Sequence, residues 1–357
     1  MTAPTLPVGD PTRDLPRAHG GAVLEGVLRA SAEDFVVEEQ LGYKASGDGE
    51  HVFLVVRKRD RNTHDVARAL AKLAGVPQVA VGYAGLKDRR AVTTQSFTVQ
   101  LPGRDAPDWS QIADESLQIL DAQRHSRKIK RGSLRGNRFV ITVSDVSGDR
   151  GPAEQRLRQI RDHGVPNYFG TQRFGNAGRN LQQADDLFAG RGRRPKRELR
   201  GLLLSAARGQ LFNQVLGART AGGNWATALN GDVLMLAGSQ RQFMHDPDDA
   251  TITERLATRD VHPTGPLCGR ASRALRPESD ALQLEDAVLD DWSDWLAALE
   301  RFGLDADRRA LRLVVDDLQW QWLDGDRLEL RFGLQSGAYA TTVLREVMRE
   351  TGTAPAA

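Results

Sequence analysis

A single cysteine, Cys268, stands among 357 residues, which excludes an internal disulfide and any cysteine-based zinc site. The seven histidines are scattered, with no HxxxH or HExxH pair. No ready metal centre follows, although carboxylate sites for magnesium stay open. No apolar run approaches a membrane span, and the first twenty residues carry prolines instead of an apolar signal core. The expectation is a soluble, cytoplasmic protein with no membrane association. Net charge is also nearly absent, at +2, and does not by itself point to nucleic acid.

The distribution of charge says more than its sum. Arg124 to Arg138 (RHSRKIKRGSLRGNR) holds seven Lys/Arg and no acid, and Arg191 to Arg200 (RGRRPKRELR) adds six against one Glu. Acids crowd instead between Glu278 and Asp307. Basic blocks set apart from acidic ones give a positive face, the footprint of a polyanionic partner. Each block alone reads equally as a solvated surface.

One carboxylate, Asp88, sits between Lys87 and the pair Arg89–Arg90 in VGYAGLKDRRAVTTQSFT. Glycines at 82 and 85 precede it, where a chain turns sharply or approaches another closely. Neighbouring cations favour the ionised acid. A charged carboxylate on a loop between two strands suits a nucleophile or general base. In isolation, KDRR reads as an ordinary surface charge cluster.

In chain order, residues 1–21 read as a disordered N-terminal tail. Val23–Arg29, Asp34–Leu41 and His51–Lys58 read as strands. Thr63 is placed to cap a helix carrying Val66, Ala69, Leu70 and Leu73, with Gly75 to end it. Strands follow at 79–83, 95–100, 117–123 and 138–143, then a helix at 153–163. GVPNYFGTQRFGNAGRN (164–180) offers arginines and aromatics for RNA, or serves as a packed linker. Residues 181–313 turn helical, with helices at 199–207, 210–218 and 290–302 and with Trp292 and Trp295 in a core. A hairpin at 318–332 turns on Asp324–Gly325, and a helix opens near Ala340 with Val343, Val347 and Met348 inward.

Four of these stretches resemble the TruD family of tRNA pseudouridine synthases: GYAGLKDRRAVTTQ, GVPNYFGTQRFG, LSAARGQLFNQV and LQSGAYATTVLREV. The resemblance runs from about Ala22 to Thr351. It implies an α+β pseudouridine synthase fold, a mixed and largely antiparallel sheet flanked by helices, with an inserted α/β domain. The catalytic domain would comprise 22–162 and 316–357, and the insertion 163–315. The implied activity isomerises a uridine of tRNA, U13 of the D arm in bacterial members. No cofactor is implied, in keeping with the lack of a P-loop or dinucleotide fingerprint. tRNA is the implied partner, and no obligate protein partner follows, so a monomer is expected.

By the resemblance, Asp88 matches the catalytic aspartate, Phe35 the aromatic that contacts the target base, and Asn137 a substrate-binding asparagine. Tyr339 stands where the family commonly has Phe, Arg29 occupies the place of a basic residue that pairs with the aspartate, and Arg29 and Lys87 join the substrate-binding set. The chemistry must break C1′–N1, turn the uracil and join C5 to C1′, which requires the nucleotide to leave its stack. Asp88 could add to C1′ or C6, or take a proton from C2′. Two other readings stay open: an RNA-binding module without catalysis, and a nucleoside hydrolase, which would want a second carboxylate.

Overall fold

The structure is a computed structural model that describes residues 6–7 and 9–353. The chain forms two compact units. One comprises Val23–Ala153, Val315–Gly337 and Met348–Ala357; the other comprises Met1–Ala22, Glu154–Val314 and Ala338–Val347.

The first unit is built on a ten-stranded sheet. From edge to edge its main path runs Asp316–Leu323, Arg327–Gln335, Gly136–Gly148, Phe35–Gln40, Val92–Gln100, His51–Arg59 and Leu117–His125. Among the described residues of this sheet only two pairings are parallel: Phe35–Gln40 with Val92–Gln100, and Leu24–Leu28 with Met348–Thr353. The rest are antiparallel, so the fold is α+β with a mixed, largely antiparallel sheet.

Alternation along His51–Arg59 turns Val52, Leu54 and Val56 to one face. There they pack with Phe97, Val99 and Leu117 under Val66, Ala67 and Leu70 of the helix Thr63–Ala74. That helix ends at Gly75 in the left-handed region, φ 61°, where a residue without Cβ fits. Asn62 and not Thr63 occupies the cap position, and its side chain makes no capping hydrogen bond. The Thr63 hydroxyl is committed elsewhere, as described below.

Phe35–Gln40 and Val81–Tyr83 lie on the same side of Val92–Gln100. The first pairs with Val92–Thr94 and the second with Phe97–Val99. Between them, at Gln95 and Ser96, a gap opens in the sheet. The loop carrying Asp88 leaves Tyr83 and re-enters at Val92 beside this gap.

The second unit centres on one helix, Arg197–Ala221, where two were expected. Gly209 does not break it, because a Cβ there would stand 3.2 Å from the Phe169 ring. The glycine serves a close approach. Around this helix pack Arg179–Phe188, Ser279–Leu289 and Ser293–Arg301, with Trp292 and Trp295 in the core. A four-stranded sheet, Gln242–Met244, Val233–Leu236, Val261–Leu267 and Asp307–Ala310, completes the unit.

Two further expectations differ from the structure. Residues 1–5 and 8 of the expected tail lie outside the described residues, but Asp10 to His19 are tied down within the second unit. Arg345 Nη2 donates to Leu15 O at 2.5 Å, Tyr168 Oη to Pro16 O at 3.1 Å, and Ala18 N to Glu346 Oε2 at 3.0 Å. Side chains hold this segment by its main chain, so it shows no periodicity. The helix Ala340–Val347 groups with Glu154–Val314, whereas the hairpin before it groups with the sheet. The C-terminal helix, expected to carry Met348 on its inner face, stops at Val347, and Met348–Thr353 is a strand on Leu24–Leu28. Among the described residues no helix is long and apolar enough to cross a membrane.

Candidate active site

The loop Gly85–Arg90 is held from beneath by the sheet. Gln95 Nε2 donates to Gly85 O at 2.6 Å, and Lys87 N donates to Thr63 Oγ1 at 3.0 Å. Thr63 Oγ1 in turn donates to Gln95 Oε1 at 3.1 Å, so the hydroxyl holds the loop instead of capping its helix. Lys58 Nζ donates to Asp88 O at 2.9 Å. Three points of the loop's main chain are thus fixed by buried side chains.

The charges pair differently from their order in sequence. Lys87 turns inward and forms an ion pair with Glu39 Oε1 at 3.0 Å, their side chains 5 % and 1 % exposed. Glu39 Oε2 accepts from Ser96 N at 2.9 Å, closing the gap in the sheet. Arg29 reaches the Asp88 carboxylate, with Nη2 at 3.3 Å from Oδ2. Asp88 itself keeps 29 % side-chain exposure, so the carboxylate is reachable while its main chain is pinned. Burial pushes the Lys58 ammonium down to about 8, the Asp88 charge drawing it back up and Lys87 opposing.

Phe35, Glu39 and Asn137 share the face on which this loop rests. Phe35 pairs in register with Ile141 and Glu39 with Asn137, and alternate residues of a strand point the same way. The Asn137 Oδ1 atom is buried without a hydrogen-bond partner among the described residues. A buried acceptor left open asks for a donor. Phe35 is 2 % exposed and is not a bare platform: the Arg29 guanidinium lies 4.1 Å above its ring, and Phe139 meets it edge-on at 6.2 Å. Asp88, Arg29, Phe35, Lys87 and Asn137 all belong to this unit.

Tyr339 belongs to the second unit. Its hydroxyl accepts from Arg173 Nε at 3.0 Å, and its ring meets Phe169 at 6.3 Å. Asn213 brackets the main chain of Phe169, accepting from its N at 2.8 Å and donating to its O at 2.9 Å. The second, third and fourth motifs therefore interlock. Tyr168, Phe169 and Phe174 are buried there, so these aromatics build a core and are not offered to RNA.

The middle of the basic block at 124–138 packs beside Gly82 and Ala84, on the way into the Asp88 loop. Ile129 N donates to Thr98 Oγ1 at 3.0 Å and Gly132 N to Ala84 O at 2.9 Å. Arg127, Lys130, Arg131 and Arg135 remain exposed. In the second unit Arg193, Arg194, Arg200 and Arg301 line a cavity of about 620 Å³ whose lining contains no acid.

Glu39, Lys58, Thr63 and Gln95 hold the loop without belonging to any of the site residues legible in the motifs, and Thr63 reads there only as a helix cap. Two of them left a signal: Glu39 and Lys58 each continue the inward phase of an apolar strand, after Phe35–Val37 and Val52–Leu54–Val56. A charge at such a position is costly unless it is paired.

The sequence matches the profile described as tRNA pseudouridine synthase D (TruD) over residues 19–187 and 179–347. The chain belongs to the TruD family. It is 48 % identical over 335 residues to tRNA pseudouridine synthase D of Methylococcus capsulatus, covering 94 % of each chain. It is also 48 % identical over 347 residues to the protein of that name in Xanthomonas campestris pv. campestris, covering 93 % of this chain and 94 % of the relative. The TruD chain of Methanosarcina mazei, a solved structure, shares the fold with a TM-score of 0.74 at 21 % identity, covering 98 % of both chains. TruD proteins are isomerases, which places this chain among enzymes and not among binding modules alone.

Proposed function

We propose that this TruD chain converts a uridine of tRNA to pseudouridine, U13 of the D arm, with Asp88 as the reacting carboxylate. The observation that carries the reading is the build of the Asp88 loop. Its main chain is fixed by Lys58, Thr63 and Gln95, while its carboxylate is left accessible beside Arg29. A reacting group held in one place contributes through orientation.

A uridine stacked in a folded RNA cannot turn about its glycosidic bond, so the nucleotide swings out first. The everted uracil lies over the Arg29–Phe35 pair, and the open Oδ1 of Asn137 accepts an N–H of the base. Asp88 then attacks the sugar or the ring, or removes the C2′ proton, and after C5–C1′ closure it takes the C5 proton. Lys87 contributes from beneath through Glu39. The assignment of Tyr339 to the substrate rests on the family motif, its ring orientation set by Arg173. The catalytic domain we assign to 22–162 and 316–357, with 163–315 as the family's insertion. The exposed cations of 124–138 and 191–200 neutralise tRNA phosphates.

The test is pseudouridine mapping in tRNA from cells lacking the protein, restored with wild type or Asp88→Asn. The expected result is loss confined to position 13, rescued by wild type alone, with tRNA binding of the variant kept. Pseudouridine formation by Asp88→Asn at the wild-type rate would end the assignment, and release of free uracil would favour a hydrolase.

A further inference from the structure

Lys58 continues the inward phase of Val52, Leu54 and Val56 and is 0 % exposed. Methionine or leucine would fill that place with no charge to bury, and an ammonium there costs free energy unless it is satisfied. Its hydrogen bond goes to the main-chain oxygen of Asp88 at 2.9 Å. Thr93, in register with Lys58 on the adjacent strand, is also fully buried, with a hydroxyl that has no partner among the described residues. The strand therefore carries a buried cation aimed at the peptide of the one residue assigned to chemistry.

We propose that Lys58 is a positioning residue for Asp88: it fixes the acid's main chain and keeps a second positive charge, besides Arg29, close to its carboxylate. The inference rests on the assignment of Asp88 above. A lysine serving the fold alone needs only an acceptor for its buried ammonium, whereas one serving the chemistry acts on the acid's place and on its charge.

The charged groups facing Lys58 are Asp88 and Lys87 on the loop and Asp60 at the end of its own strand. Arg29 reaches it only through Asp88, and Glu39 only through Lys87. A deprotonated Lys58 still has N–H groups for Asp88 O, but the positive charge is gone. Because burial holds its ammonium near 8, that charge is present below this pH and lost above it.

The experiment measures single-turnover pseudouridine formation at saturating tRNA across neutral to alkaline pH for wild type, Lys58→Met and Lys58→Arg. tRNA affinity and thermal melting are read alongside. For Lys58→Met the rate should fall on the order of a hundredfold, the scale seen when one fixed electrostatic partner of a reaction is removed, with tRNA affinity little changed. Wild type should lose rate above about pH 8, Lys58→Met should lack that limb at a low rate throughout, and Lys58→Arg should hold its rate across the range because a guanidinium keeps its charge.

Unchanged turnover in Lys58→Met would overturn the proposal. If that variant does not fold, a wild-type rate that stays flat through the alkaline range does so instead. Wild-type protein that makes no pseudouridine in any tRNA defeats the functional reading itself, and the two failures are told apart in that way.

Discussion

Arg29 lies across Phe35, its guanidinium carbon 4.1 Å from the ring centre, while its Nη2 reaches Asp88 at 3.3 Å. Its main chain sits at φ +57°, a left-handed conformation that costs a non-glycine residue on the order of 1 kcal/mol. One side chain thus both pairs with the acid and covers the ring assigned to the base. Arg29→Met should keep the cover and lose the charge. Turnover should fall roughly tenfold to a hundredfold, the size of one charged hydrogen bond, with tRNA affinity nearly unchanged. Single-turnover assays beside filter binding check this.

Lys87 and Glu39 form a buried ion pair. Removing one partner leaves an uncompensated charge, so Lys87→Met should destabilise the first unit by about 3–5 kcal/mol. Adding Glu39→Gln keeps an oxygen for Ser96 N and should recover most of the loss. Urea unfolding of both variants decides, and equal loss in the double variant would show that the pair is not the cause.

The two glycines of GYAG are not equivalent. A Cβ on Gly82 would stand 2.5 Å from the main-chain oxygen of Ile129, whereas nothing lies within 4 Å of one on Gly85. Gly82→Ala should therefore cost about 1–3 kcal/mol, as overpacking does, and Gly85→Ala should be tolerated. Paired thermal melts of the two variants test the contrast.

Burial, with Arg312 second, pushes His262 down to about 4, and its Nδ1 accepts from Arg312 Nε at 3.0 Å. The unfolded chain takes up this proton near pH 6.5, while the folded one refuses it until about 4. Stability should therefore fall as pH drops through that window and level off below it, by up to about 3 kcal/mol. His262→Gln should flatten this part of the profile, as read by urea unfolding at stepped pH.

Arg193→Glu with Arg194→Glu should weaken tRNA binding and reduce the slope of log K against log salt by roughly one for each phosphate no longer neutralised. Turnover at saturating tRNA should hold. Binding titrations over a salt series measure the slope, and an unchanged slope would remove this cavity from the tRNA footprint.

Local order was legible in the residues themselves. Alternation in HVFLVVRK, the spacing of Val66 and Leu70, Gly75 at a helix end and Asp324–Gly325 at a hairpin each act within a few positions, so strands and helices fell near their places. Four motifs in order carried the family. Tertiary structure decided what depends on the meeting of distant segments. It gave Lys87 to Glu39, drew Thr63 away from its helix to the loop, and laid Met348–Thr353 along Leu24–Leu28. Charge pairing is set by which side chains a sheet register brings within a few ångströms, and neighbours along the chain point to opposite faces of a strand. For that reason the sequence could name the acid, and only the folded chain could name what holds it.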